Sequence, residues 1–322
     1  MNAISVPIIS SARDTADARG DRGFRWVVTA AGWFVLISLA AAAFSMLWGG
    51  REAFETFGWG FFTSSEWDPV QRRFGAFVPI VGTLISAAIA MIIAVPVSFG
   101  IALYLTEVAP SWLRTPVGTA IELLAGIPSI IYGMWGLYVL APFFAEHFYP
   151  WLDENIGPWP IIGALFRGPP LGLGMGTAGL VLGIMVIPFI ASVMREVFLT
   201  VPTQLKESAY ALGSTTFEVV WDVVLPYTRS ATIGGIFLGL GRALGETMAV
   251  TFVLGNAHQL SASLLEPGNS IAATIANEFS EADSQIYLSS LIALGFVLFI
   301  VTFVVLAIAR LMLMQLNRRE GK

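Results

Sequence analysis

Two charges of opposite sign, Arg242 and Glu246, stand inside an apolar stretch over residues 230–254. At i and i+4 they share one helix face, one turn apart. A charge at the centre of a bilayer costs roughly 2.5–3.5 kcal/mol on insertion scales, so the arginine needs compensation. Glu246 can neutralise it, while Gly234, Gly235, Gly239, Gly241 and Gly245 let a second helix or a solute approach the backbone closely. The guanidinium presents a planar fork of donors shaped for the oxygens of an oxyanion. In one reading Arg242 faces a water-accessible path and Glu246 holds it while the path is empty. In the other the pair locks the helix to its neighbours, with Glu122 or Tyr132 joining it. The spacing leaves both open. Ser129 and Tyr132 of the third apolar run, and Thr83 and Ser86 of the second, are further polar groups that could line a path, although bonding within their own helices is a plainer role.

Other chemistries find no residues to carry them. With no cysteine in the chain, disulfides, thiolate nucleophiles and cysteine metal sites are excluded. His147 and His258 lie far apart in outer loops, without metal-ligand spacing. Glu122 falls near the inner end of its helix, where a solvated or ion-paired role suits it. The only Gly-Lys pair is Gly321-Lys322, so a phosphate loop of the form G-x-x-x-x-G-K-[ST] is absent.

The elements that position these residues follow from composition. Of 322 residues 56% are hydrophobic and 12% charged, about half the charged share of an average soluble domain. Residues 26–50, 74–106, 123–145, 168–194 and 284–309 carry no charge, and each meets the ~20-residue length of a bilayer-crossing helix. With the stretch holding Arg242 they predict an all-α integral membrane protein of six transmembrane helices, at about 26–48, 77–106, 115–144, 171–194, 230–254 and 286–316. The first run follows a polar stretch and is longer than a signal-peptide core, so it reads as a retained helix. An inner N-terminus places twelve of the 17 Lys and Arg residues inside and four (Arg51, Arg72, Arg73 and Arg167) outside, which puts both termini in the cytoplasm. Eleven acidic residues then make the outer loops net negative, a surface that repels anions.

Residues 1–24 lack periodicity and read as a flexible cytoplasmic tail, with 318–322 as a second short tail. Aromatics in the outer loop over residues 49–76 are expected along the membrane surface. Pro128 should kink the third helix and Pro188 the fourth, each demanding that neighbouring protein satisfy a freed carbonyl.

Between the fourth and fifth helices, residues 195–229 carry seven charges and too weak an apolar pattern to span. Pro202 suits a first helical turn, Leu205, Ala209 and Leu212 share a face, and Gly213 is a natural stop. Thr215 with Glu218 reads as a capping box for a second short helix ending at Pro226. The product is a cytoplasmic helix-turn-helix elbow.

The run Glu207-Ser208-Ala209, then Gly213, then Val223-Val224-Leu225-Pro226 resembles the EAA loop of ATP-binding-cassette import permeases, with Ser208 in place of the usual first alanine and Val223 of the usual isoleucine. Gly126-Ile-Pro-Ser-Ile-Ile-Tyr-Gly-Met-Trp-Gly136, Trp67-Asp68-Pro69, Phe74-Gly75 leading to Gly82-Thr83-Leu84, and Gly241-Arg-Ala-Leu-Gly-Glu-Thr-Met-Ala-Val250 resemble the phosphate-specific import permeases of C type. The sister A type shares the Arg-Ala-x-Gly-Glu core, whereas Met248-Ala-Val250 and Tyr132-Gly-Met-Trp135 favour C. The resemblance implies a type I ABC importer permease (MetI-like) fold with cytoplasmic coupling helices, its permease domain covering residues 25–317 with the coupling segment at 195–229. It implies that Glu207, Ala209, Gly213, Leu225 and Pro226 couple to an ATPase, and that Arg242, Glu246, Ser129 and Tyr132 border the substrate path. It implies no cofactor in this chain, ATP-Mg being held by a homodimeric ABC ATPase. A second, A-type permease, an extracytoplasmic phosphate-binding protein and the lipid bilayer of a bacterial inner membrane are the implied partners; nucleic acid is not one. Two alternatives stand beside it: an ion- or proton-coupled secondary transporter or channel using Arg242 and Glu246 as a relay, and a permease for another oxyanion such as sulfate or molybdate.

Overall fold

The computed structural model describes residues 11–319, with side chains from 20 to 315. It divides into two units, Met1–Gly49 and Gly50–Lys322. The first holds one helix, α1 (Ser11–Gly49), whose stretch over Gly20–Gly49 is long and apolar enough to cross a membrane. It takes in residues 11–24, expected as an aperiodic tail. Residues 1–10 and 320–322 of the expected tails lie outside the described residues.

The second unit begins with two short helices, α2 (Arg51–Phe57) and α3 (Gly60–Thr63), and a hairpin of β1 (Trp67–Asp68) and β2 (Arg73–Phe74) in the register Trp67↔Phe74, Asp68↔Arg73. Asp68 Oδ1 accepts from the Val70 and Gln71 amides at 2.8 and 3.0 Å, so the Trp67-Asp68-Pro69 sequence makes an Asx turn. The turn folds the aromatics inward. Phe61, Trp67 and Phe74 are buried, with Phe54 and Phe57 packed on them, against Tyr287, Leu291 and Leu294. That corrects the surface position expected for them, Trp59 excepted, which is exposed: clustered rings bury more apolar area than rings laid singly on an interface.

Then come α4 (Phe77–Leu103), extended by a π turn over Tyr104–Val108; α5 (Ser111–Ala125); and α6 (Ser129–Trp135), which runs on through further π turns, α7 (Ala141–Phe143) and α8 (Tyr149–Asn155). After a 3-10 turn, α9 (Met175–Leu199) precedes the elbow helices α10 (Thr203–Ala211) and α11 (Thr216–Val219). The chain finishes with α12 (Leu225–Leu244), α13 (Met248–Thr251), α14 (Ile271–Glu278) and α15 (Gln285–Arg319). Six membrane-length stretches result among the described residues: Gly20–Gly49, Phe77–Val108, Ser129–Asn155, Met175–Leu199, Thr216–Leu244 and Gln285–Gln315.

Two of these differ from expectation in ways that matter for the site. The third helix does not run through Pro128 with a kink. Pro128 has no N–H and drives Ile127 out of the helical region, so α5 closes at Gly126 and Pro128, in extended conformation, starts α6. The span is therefore residues 129–155, not 115–144. The fifth helix stops at Leu244, ahead of Gly245, instead of running to residue 254. It starts earlier too, because α11 passes through a π turn over Val220–Val224 straight into α12. The helix expected to end at Pro226 thus continues: Pro226 lies directly after the π turn inside the unbroken Thr216–Leu244 run, where its missing N–H removes one bond without ending the helix.

The core is the pairing of α4 with α9. Ala87, Ala90 and Ala94 of α4 are buried against Val181, Leu182, Met185 and Val186 of α9. A methyl group added to Gly179 would lie 2.5 Å from the Ile89 side chain, and one on Gly239 of α12 would lie 2.5 Å from Ile190. These backbones approach because the residues are small. Within the pair, Ser98 Oγ donates to the Ile187 carbonyl at 3.0 Å.

Candidate functional site

The two interrupted segments meet. A methyl on Gly133 of α6 would lie 3.0 Å from the Met248 carbonyl and the Ala249 Cα, so α6 sits directly on α13. Gly136 is equally tight against Val181 and Val253. Interrupted helices packed together inside a membrane bring backbone polar groups to one place, where a solute can reach them.

Arg242 stands in the last turn of α12, exposed at the chain's surface, its guanidinium carbon 5.5 Å from the centre of the Phe189 ring. Phe189 is near the middle of α9 (Met175–Leu199), so the guanidinium stands level with the middle of that membrane-length helix. A cation–π contact of about 0.5–2 kcal/mol falls short of the ~2.5–3.5 kcal/mol cost of that depth. Glu246 does not make up the difference. No ion pair joins it to Arg242 among the described residues, because the helix that would have aligned them ends at Leu244. The Glu246 carboxylate instead accepts from the Ala249 amide at 3.3 Å and caps α13.

Tyr132 and Ser129 are half-buried beside this place. The Tyr132 hydroxyl donates to the Leu124 carbonyl at 3.1 Å, satisfying the end of α5, and its ring is within electrostatic reach of Arg242. Gly126, Pro128 and Gly245 are each exposed. Thr83 and Ser86 bond to the Pro79 and Thr83 carbonyls of their own helix, and Thr83 Oγ1 also accepts from the Ile271 amide. Glu122 pairs with Arg195 at 3.2 Å, stapling α5 to α9. Among the described residues no group of three or more His, Asp or Glu could hold a metal.

In the elbow, Gly213 has φ +92° and the Ser214 amide donates to the Ala209 carbonyl at 3.1 Å, closing α10. The Thr215 amide donates to Glu218 at 2.7 Å, completing the capping box. Glu207, Gly213 and Pro226 are exposed, whereas Ala209 and Leu225 pack on the core. Leu212 and Phe217, 88% and 71% exposed, make an apolar tip fit for a partner protein.

Two clusters escaped the sequence reading because their members are far apart along the chain. One is the ion pair of Lys206 with Glu107 at 2.6 Å. The other surrounds Glu278, which accepts from Trp67 Nε1 and the Tyr287 hydroxyl at 2.7 Å each and lies 2.7 Å from His258 Nε2. Burial pushes the Glu278 carboxyl up, but the bonds from His258, Tyr287 and Trp67 outweigh it and hold the group below the usual carboxylate range. Trp67 also stacks on the His258 ring, 5.3 Å between centres. The cluster fastens β1, the loop after α13, α14 and α15 together.

Residues 94–319 match the model of a family described as binding-protein-dependent transport system inner membrane component. The phosphate transport system permease protein PstC of Xylella fastidiosa (strain 9a5c) is 68% identical over 309 residues, covering 96% of this chain and 95% of that protein. The protein of the same name from Pasteurella multocida (strain Pm70) is 60% identical over 289 residues, covering 90% of each. A bacterial ABC transporter involved in import of the acidic polysaccharide alginate, known from a crystal structure, shares the fold at 18% identity with a TM-score of 0.57, covering 94% of this chain and 99% of its own.

Proposed function

Because this chain belongs to the family of binding-protein-dependent transport system inner membrane components, we propose that it is the C-type permease subunit of an ATP-driven phosphate importer. It crosses the inner membrane several times and carries no ATPase chemistry of its own; ATP-Mg is bound by a homodimeric partner. The observation that carries the reading is Arg242, an exposed positive charge level with the middle of the α9 span and beside two interrupted helices. An exposed guanidinium there has to face a second permease and the path between the two. The 68% identity to a phosphate permease supports phosphate as the anion.

In the proposed cycle, closure of the ATPase presses on the elbow through Glu207, Gly213 and the exposed apolar tip. Ala209 and Leu225 carry the displacement into the helices they pack against. The path opens outward, phosphate delivered by an extracytoplasmic binding protein meets Arg242, and reopening of the ATPase releases it inside. Ser129 and Tyr132 shape the same path, and Glu246 fixes the break that places Arg242 at its edge. Delivery by a binding protein answers the net negative outer loops, which would otherwise repel the anion.

The test is uptake of labelled phosphate into vesicles. The chain alone should take up none, while the complex that co-purifies with it should do so when ATP and binding protein are supplied. Arg242→Gln should lower that uptake about ten- to hundredfold, the value of a charge-assisted hydrogen bond, with assembly unchanged. Uptake by the chain alone would establish a secondary transporter, and normal uptake by Arg242→Gln would remove this residue from the path.

A further inference from the structure

Glu107 lies in the π turn over Tyr104–Val108 that ends the second span, and Lys206 in the middle of α10. Their side chains meet at 2.6 Å and are 5% and 16% exposed. This is unlike the rest of α10, whose neighbouring Glu207 and Ser208 are open to solvent. A carboxylate so deeply covered requires a partner, and among the described residues Lys206 is the ion-pair partner it has. Such a pair adds little net stability over a well-packed apolar pair, since both charges lose their water; what it fixes is geometry. Wide π turns recur where a helix has been altered for a function.

The elbow is joined by the chain itself to α9 and α12, and to α4 only by side-chain contacts. From Glu107 the second span runs back along α9, interlocked at Gly179 with Ile89 and bonded from Ser98 to the Ile187 carbonyl, two residues before the Phe189 ring under Arg242. We propose that Lys206 and Glu107 are positioning residues of ATP coupling: the pair clamps the elbow to the inner end of the second span, so that a push on α10 moves α4 and α9 as one body. This rests on the permease reading above and adds the contact through which the elbow reaches the second span. Neither residue touches the anion.

The experiment uses the co-purified importer in vesicles and measures phosphate uptake and ATP hydrolysis together. Lys206→Glu and Glu107→Lys should each raise the ATP consumed per phosphate imported at least about fivefold, and the exchanged double variant should recover most of the wild-type ratio, as coupled neighbours do. Lys206→Gln and Glu107→Gln, which keep a polar group of similar size, provide the same cycle if a reversed charge prevents assembly: the two losses should not add in the double variant. An unchanged ratio in the single variants, or losses that simply add, would overturn the proposal. Failure of the unaltered complex to transport phosphate with ATP would instead defeat the underlying reading.

Discussion

At the level of single residues, the two clusters of charge are built differently. Arg242 is held loosely, by one aromatic face and the end of a helix, and this leaves its donors available. Glu278 is held on both oxygens, by Trp67, Tyr287 and His258. Its carboxyl ionises more readily in the fold than in the unfolded chain, so its contribution to stability is complete above the unfolded value and disappears as pH falls through the folded one. Glu278→Gln should therefore destabilise the purified protein by about 1–3 kcal/mol at neutral pH, and the difference from wild type should shrink below about pH 4. Thermal unfolding in detergent at the two pH values checks this; a gap that stays constant or widens in acid would refute the assignment. Arg242, Ser129 and Tyr132 drew notice in the sequence as polar groups in apolar runs, and their place in a substrate path is the proposal that the uptake assay tests. The Glu278 cluster was not legible in the sequence, since nothing local links Trp67, His258, Glu278 and Tyr287.

At the level of elements, glycine and proline decide where helices stop, and those stops shape the candidate site. Gly126 with Pro128, and Gly245 three residues after Arg242, end helices inside the apolar layer, and α6 and α13 then pack through Gly133. Hydropathy cannot distinguish one straight helix from two joined by a break, so residues 115–144 and 230–254 read as continuous. The assumption that Glu246 faces Arg242 failed for the same reason. In the elbow, by contrast, local rules placed the turn: Gly213 and the Thr215–Glu218 capping box are where their sequence signals put them, although the second helix runs on past Pro226. Gly213 is kept by conformation, since φ is +92° and nothing stands within 4 Å of where a Cβ would be. Gly213→Ala should cost about 1–2 kcal/mol locally, leaving membrane insertion intact while reducing stimulation of the partner ATPase roughly tenfold. Full stimulation in vesicles would show that the turn need not hold this shape.

At the level of the whole molecule, the chain carries an exposed charge, Arg242, beside two interrupted helices and an exposed apolar elbow tip at Leu212 and Phe217, which suit it to an assembly. The proposed sidedness has a direct check, because the chain contains no cysteine of its own. A cysteine introduced at Gln204 should react with an impermeant thiol reagent only after the membrane is opened, and one at Asp283 should react from outside in intact cells. Labelling of Gln204→Cys from outside would invert the topology and remove the elbow from its ATPase. Composition and charge spacing by themselves determined the helical class, the number of spans and the existence of the elbow, because lipid excludes charge and unsatisfied backbone over lengths that can be counted along one chain. Tertiary structure alone decided that the helices break where they do, that Glu246 caps α13 and does not neutralise Arg242, and that Lys206 finds Glu107 across 99 positions of sequence. Those outcomes depend on which backbones can approach and which buried charges can meet, and packing between distant segments settles both.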